Sequence, residues 1–357
     1  MNYWTKRRFR LLSTTCAVAL ALTAGACARS ESGAKESPSG NADAATQAIR
    51  DKLRLPTTVK FKQGAGTDLL PEYIAKEKGF FTAYNLDVEL VPAKVGGVAW
   101  IPLLASGQID ATAGAGVSAP IISRGNGAKV IAVAAGFVTT DTFHNFSLYA
   151  RKGTAAAKPA DLVGKRVAIA NAGSTIDIGI DAWLRGGGIE PNQVKKVVIP
   201  YANMPTALLS DQVDVIGVTG VVMDPWMKNN PAKAEAVELV RHDSDLLPSN
   251  KLFTAYSMRE DYVRDHPDVV KAWIAAMTEA TDWIVKNPRE AAEIAVAAKA
   301  IPTADNVQVP GWPKGLCIDA SESRTWMNII EGAGQVKAGA VDTTQWFTND
   351  ANPTGCA

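Results

Sequence analysis

Leu104-Ala105-Ser106-Gly107-Gln108-Ile109-Asp110 and Leu208-Leu209-Ser210-Asp211-Gln212-Val213-Asp214 are nearly one stretch written twice. A small polar turn precedes each of them, Ala65-Gly66-Thr67-Asp68 before the first and Ala172-Gly173-Ser174-Thr175 before the second. A spacing of about a hundred residues is far too long for a solenoid repeat and matches a domain. The chain has 357 residues, 47% hydrophobic and 20% charged, which is enough material for two cores. Two similar lobes are therefore expected.

Outward from these stretches, short apolar runs alternate with helical patterns, the mark of α/β units with a largely parallel sheet. Strands are expected at 58–62, 86–92, 109–113, 130–137 and 146–150, and again at 165–170, 194–199 and 213–218. Helices are expected around Pro71 up to Gly79, from Val98 to Gly107, and over 175–185. After Val240 the pattern turns helical. Asp265-His266-Pro267-Asp268 reads as an N-cap with proline in the first turn, Asn287-Pro288-Arg289-Glu290 has capping-box spacing, and Asp319 with Glu322 repeats that signal. The Trp and Met stripes of these helices are most simply core.

The first residues stand apart. Lys6, Arg7, Arg8 and Arg10 make a basic region, and 11–26 is apolar and uncharged, the pattern of a signal peptide rather than a membrane span. The run ends Leu22-Thr23-Ala24-Gly25-Ala26-Cys27, which resembles the lipobox of bacterial lipoproteins and makes Cys27 the expected lipidation site; an ordinary secretory signal with Cys27 incidental is the alternative. Lys6-Arg7-Arg8-Phe9 is only a degenerate twin-arginine match, so the general secretory route is expected. Residues 28–55, rich in Ser, Gly, Ala and charge, read as a flexible tether.

Without that leader the chain keeps 33 of its 37 Lys and Arg against 36 Asp and Glu, a net charge of −3, and no basic cluster survives. Nucleic acid is thereby excluded as the expected partner. Two cysteines remain in the exported part, Cys317 and Cys356, and a disulfide is the natural expectation, with two free buried thiols the alternative. In the chain-entropy account, closing a loop of that length stabilises by roughly 4 kcal/mol.

Chemistry is sparse. His144, His242 and His266 have no metal-like spacing, and neither a Gly-x-Ser-x-Gly elbow nor a phosphate loop occurs. Neither a metal, a cofactor nor catalysis is expected. Gln63-Gly64-Ala65-Gly66-Thr67-Asp68-Leu69 lacks the third glycine of a dinucleotide fingerprint. Such a turn, like Gly173-Ser174-Thr175, offers unpaired backbone N–H groups and a hydroxyl at a helix N-terminus, which suits a small anion; plain helix capping is the alternative.

Several of these pieces resemble a known family, the substrate-binding components of ABC importers of the nitrate, sulfonate and taurine type, related in fold to thiamine-precursor synthase. They are 71–81 (Pro-Glu-Tyr-Ile-Ala-Lys-Glu-Lys-Gly-Phe-Phe), 104–110, 161–169, Gly173-Ser174-Thr175, Asp224-Pro225-Trp226 and 266–270. The resemblance implies an α/β, two-lobe periplasmic-binding-protein-like fold with a ligand cleft between the lobes and closure by hinge motion. It implies a first lobe of 56–138 plus the helical segment after 246, and a second lobe of 139–245. With the leader and the tail read from their own residues, the expected order is a signal peptide at 1–26, a lipidated tether at 27–55, a first lobe of 56–138 plus 246–357 with a C-terminal helical tail, and a second lobe of 139–245. The cleft would be lined by Gly66, Thr67, Gly96, Gly97, Gly116, Gly173, Ser174, Thr175, Tyr201, Thr219 and Trp226, with Lys94 a weaker candidate. The implied protein is a monomeric, non-enzymatic lipoprotein of the cell envelope. It would capture a small organic anion, such as a sulfonate, a taurine-like solute or an aromatic carboxylate, for an ABC permease and its ATPase. A carrier of a thiamine-pyrimidine precursor or another neutral heterocycle, and a fold-related biosynthetic enzyme, are the alternatives. Beyond Ala300 the resemblance fades.

Overall fold

The computed structural model describes residues 43–66, 71–92, 97–140, 143–247, 251–305, 308–342 and 345–356. The expected signal peptide, Cys27, residues 28–42 of the expected tether, Thr67, Asp68, Lys94 and Gly96 lie outside the described residues.

In chain order the strands are β1 (Val59–Ala65), β2 (Leu86–Pro92), β3 (Ala115–Gly116), β4 (Val130–Ala135), β5 (Phe146–Arg151), β6 (Arg166–Ile169), β7 (Lys195–Val198), β8 (Val215–Thr219), β9 (Val237–His242) and β10 (Thr254–Arg259). One sheet holds β1 parallel to β2, and β10 antiparallel to both β3 and β4. Ala111 joins the two parts, bridging to Gln63 on β1 and to Met258 on β10. The expected strand at 109–113 thus shrinks to this bridge. The second sheet has the order β7-β6-β8-β5-β9, parallel across β7, β6 and β8 and antiparallel at β5.

Both sheets are mixed because the chain crosses between them twice, after β4 and after β9, and each crossing brings in a strand running the other way. β10 falls where a helical pattern was expected, and no strand was expected at β9. The reason is visible in their residues: β9 is a half-buried edge strand, while β10 is buried on both faces but built from Thr254, Ala255 and Ser257, so neither carries an apolar run.

The twin stretches do the same job in each sheet. The helix Trp100–Ala105 ends where Gly107 takes φ 71°, and the helix Met204–Leu209 ends where Asp211 takes φ 62°. Asp110 then accepts the Lys62 N–H through Oδ2 (2.8 Å) and donates its own N–H to Lys62 O (2.8 Å). Asp214 does likewise with Arg166, at 2.8 Å and 2.9 Å. A carboxylate that clamps the neighbouring strand is what the repeated Asp encodes. At the second site the Arg166 guanidinium also binds Asp214, and this holds its carboxyl down to about 2.

Helices cover both faces of the second sheet. Ile176, Ile180 and Leu184 of the helix Thr175–Gly186 pack with Leu148, Val167 and Val215, whereas Met204 and Leu208 pack with Tyr149, Ile216 and Val218 on the other face. The long helix Pro267–Lys286 lies under the first sheet with Trp273 fully buried, its indole N–H donating to Gln63 Oε1 (2.9 Å). The apolar cluster that contains Trp100, Leu104 and Ile121 from the first sheet's helices continues without a break into Leu148, Val167 and Ile176 of the second. The two lobes share a packed seam.

Four local expectations are corrected. Residues 43–55 are not a tether: Asp43 accepts the Thr46 N–H (2.8 Å) and starts the helix Ala44–Leu53, which docks through Arg50 onto Glu279, itself bonded by Tyr84. The ion pair adds to the packing of Leu53 and Leu55 on the core under the first sheet. Asp265 lies inside the helix Glu260–Asp265 and pairs with Arg264, so the helix after it starts at His266 without a side-chain cap. Asn287 sits alone between two helices and serves the first, its Nδ2 donating to Trp283 O (2.9 Å), while Glu290 pairs with Lys78. Asp319 does cap the helix Ala320–Gly332, accepting the Ser321 N–H (2.7 Å), but Glu322 reaches away to the Leu252 N–H (2.6 Å) instead of completing a box. Cys317 and Cys356 form a disulfide, with Cα atoms 5.6 Å apart. No helix among the described residues is long and apolar enough to cross a membrane.

Candidate functional site

Ser174 is the N-cap of the helix Thr175–Gly186, and its Oγ accepts the Asp177 N–H (3.2 Å). Gly173, at φ 71°, makes the turn, and its N–H donates to Asp177 Oδ2 (2.8 Å). That carboxylate and Asp181, one turn further on, both pair with Lys196 from β7, and all three are largely buried. Burial pushes the Asp181 carboxyl up, against the pull of Lys196.

Facing this turn is the start of another helix, Ser118–Gly125, on the first lobe. It has no side-chain cap, so its first-turn N–H groups are left for other partners. Ser118, fully buried, donates from Oγ to Gly173 O (3.2 Å) and lies 3.4 Å from Thr175 Oγ1. Gly116 permits this approach: a methyl there would sit 1.9 Å from Thr175 Oγ1. A methyl on Gly97 would lie 3.8 Å from the Ser174 Cβ. Gly97, Gly116, Gly173, Ser174 and Thr175 are thus brought together from both lobes. Two helix N-termini converge there on three buried hydroxyls, Ser118, Ser174 and Thr175.

The other expected residues lie elsewhere around the second sheet and at the end of β1. Tyr201 and Trp226, both half-buried, pack on the cluster of Met204, Leu208 and Met223, and Thr219 ends β8, paired with Phe146. Gly66 is buried at the end of β1, where its carbonyl accepts the Tyr73 O–H (2.9 Å) and its N–H faces Glu72 Oε1 (3.4 Å). Asp224, beside Trp226 in sequence, has its carboxyl raised by partial desolvation.

Sequence reasoning missed Ser118, Asp177 and Lys196. Two of them left a signal: Ser118-Ala119-Pro120 has proline in a first turn, and Asp177 follows Ser174 by the three residues of a capping box. Lys196 left none, since only the sheet brings β7 beneath that helix.

The sequence profile of the NMT1/THI5-like family matches residues 66–291. The nitrate/nitrite binding protein NrtA of Nostoc sp. is 27% identical over 313 residues, covering 80% of this chain and 68% of its own. The corresponding Synechocystis protein matches over 64% of this chain and 53% of its own length. The taurine-binding periplasmic protein of Escherichia coli is 26% identical over 196 residues, covering 53% and 57%. Among solved structures, the periplasmic aliphatic sulphonate binding protein SsuA of E. coli superposes with a TM-score of 0.64 at 16% identity, over 80% of this chain and 91% of its own. The periplasmic nitrate-binding protein NrtA of Synechocystis gives 0.62 at 21%, over 82% and 87%. These last two likenesses establish the periplasmic-binding-protein fold, with its two lobes.

Proposed function

The chain belongs to the NMT1/THI5-like family, and from that premise we propose that it is the extracytoplasmic solute-binding component of an ABC importer, which captures a small organic solute bearing an oxyanion group and hands it to a permease. The observation that carries this reading is the convergence of Gly97, Gly116 and Ser118 from one lobe with Gly173, Ser174 and Thr175 from the other. Hydroxyls and helix N-terminal N–H groups hold an oxyanion without a cationic side chain, and a site split between two lobes couples its occupation to their closure. Binding without chemistry suits a site built of glycines, hydroxyls and helix N-terminal N–H groups. The family resemblance adds Gly66, Thr67, Gly96, Tyr201, Thr219 and Trp226 to the proposed lining, with Lys94 as a candidate charge and the aromatic pair as apolar walls that stand apart from the converging turn. The proposed setting is the outer side of a membrane, with Cys27 as lipid anchor, 27–42 as the leash, and lobes of 56–138 with 246–357 and of 139–245; the molecule acts as a monomer.

One observation favours a second reading. Asp177 and Asp181 set two buried carboxylates against the single Lys196 beneath the turn, which offsets much of the positive end of that helix. A neutral heterocycle, such as a thiamine-pyrimidine precursor, suits that balance better than an anion does. Thermal unfolding with taurine, ethanesulfonate, benzoate, nitrate and an aminopyrimidine separates the two. A solute at a hundred times its Kd adds about 2.7 kcal/mol of stability, and at roughly 2 °C or more per kcal/mol the cognate class raises Tm by about 5 °C. A response to none of the oxyanions sinks the first reading, and a response to the aminopyrimidine alone establishes the second.

A further inference from the structure

The family profile ends at residue 291, yet the chain beyond it touches both lobes. Its anchorage is on the first. Ala132 of β4 donates its N–H to Trp346 O (2.9 Å) and accepts the Thr348 N–H (2.8 Å), so that the tail adds a short parallel bridge at Phe347 to the sheet. Leu316 is buried in the core under that sheet, and Val336 and Val341 close over Gly125, where a methyl would meet Val336 Cγ1 at 2.6 Å. The two ends of the tail are tied together by the Cys317–Cys356 bridge, and by Asn349 Nδ2 donating to Ile318 O (2.8 Å) and Asn352 Nδ2 donating to Gly315 O (2.8 Å).

From this base the helix Ala320–Gly332 runs along the seam. It packs on Ser118–Gly125 of the first lobe and on Thr175–Gly186 of the second, with Trp326, Met327 and Ile330 sharing one apolar cluster with Ile122, Ile176 and Ile180. At its start, Glu322 holds the Leu252 N–H on the segment that returns the chain from β9 to β10. Just past its end, Gln335 lies over the turn: a methyl on Gly173 would be 3.4 Å from Gln335 Oε1 and 3.6 Å from Ile122 Cδ1. Gly334 faces Arg185 near the far end of the second-lobe helix, and the buried Arg185 Nη1 there has no hydrogen-bond partner in the structure.

A two-lobed protein joined only by its crossings opens at the cost of its cleft contacts. Here a third connection, rooted in one lobe, lies across the seam beside the candidate site. We propose that the C-terminal segment from about residue 311 is an arm of the first lobe that clasps the second, with Gln335 as a positioning residue for Gly173–Thr175 and the Cys317–Cys356 bridge holding the arm's grip. Opening the lobes then requires the arm to let go of the helix Thr175–Gly186, so the bridge and Gln335 govern how easily the turn is exposed.

The proposal rests on the solute-binding reading only in calling that turn a ligand site. Its test needs no solute, so the two fail separately. Backbone hydrogen exchange is followed at Asp177 and Ile178, whose N–H groups donate to Ser174 Oγ and Ser174 O, with the β8 amides as control. Gln335→Ala is expected to speed exchange at Asp177 and Ile178 at least threefold and leave β8 unchanged, and Gln335→Glu, which keeps the length and an oxygen, to restore it. Mild reduction of the wild-type bridge, verified by mass, is expected to produce the same local acceleration, and it serves as the test should the alanine variant not fold. Unchanged exchange at both amides after reduction and in Gln335→Ala overturns the proposal, as does acceleration that appears equally in β8.

Discussion

Gly116→Ala puts a methyl 1.9 Å from Thr175 Oγ1 and 3.2 Å from Thr175 Cβ. Relief requires the lobes to part by roughly 1.5 Å, or Thr175 to leave its rotamer, since ordinary contacts begin near 3.5 Å. Rotation alone is a partial remedy. The Cβ stays too close, and Thr175 Oγ1 gives up its place 3.4 Å from Ser118 Oγ. Overpacking of this kind costs about 1–3 kcal/mol. Because the clash exists only where the lobes meet, the cost falls on the closed arrangement rather than on the fold of either lobe. A penalty of about 2 kcal/mol on the closed state lowers the affinity for a solute that needs closure by roughly 30-fold. Calorimetric titration with the strongest solute from the thermal panel measures this loss, and small-angle scattering measures the opening that accompanies it. Adding Thr175→Ala removes the oxygen and is expected to recover roughly half of the lost binding free energy, the signature of two residues in direct contact. Wild-type affinity and an unchanged scattering profile in Gly116→Ala would refute the argument that these two residues face each other across a closing site.

Ser174→Ala removes the cap on Asp177 N–H and is expected to cost about 1 kcal/mol of stability as well as affinity, whereas Trp226→Ala is expected to lower affinity more than Ser174→Ala only if a stacked heterocycle is the solute; melting and titration of the pair decide. Asp214 is held near 2 against 3.8 in the unfolded chain, so its contribution is present above about pH 4 and lost as pH falls through about 2. Asp214→Asn is expected to cost at most about 2 kcal/mol near pH 7, less whatever solvent screening removes, and to flatten the acid limb of the stability curve. Burial and the stacked His144 ring, 3.9 Å away, push His242 below its ordinary value of 6.5. A depressed histidine favours the fold above about pH 6.5 and disfavours it as pH falls below. His242→Gln is therefore expected to flatten the loss of stability as pH falls below about 6.5, as read by denaturant midpoints.

What the sequence revealed and what it hid divide along a physical line. Asp110 and Asp214 were legible because each clamps a strand 48 residues earlier by the same pair of hydrogen bonds, and a repeated need leaves a repeated residue. The turn at Gly173 and Ser174 was legible because its capping hydrogen bonds are local, made to Asp177. Asn287 and Asp265 misled because a single residue between two abutting helices has to serve one of them, and sequence does not say which. The helix Ala44–Leu53 was hidden behind a polar composition because an ion pair from Arg50 to Glu279, 229 residues away, holds it down. Ser118 and Gln335 acquire their meaning only when one lobe is set against the other, and no periodicity within either element encodes that meeting.

The central claim is that two lobes close on one small solute. Native mass spectrometry of the protein, purified without added ligand, tests it most directly. A 1:1 complex with a single small polar solute, released on mild activation and absent from Gly116→Ala, is the predicted result; a bare wild-type protein that also gains no mass with any solute of the thermal panel would contradict it.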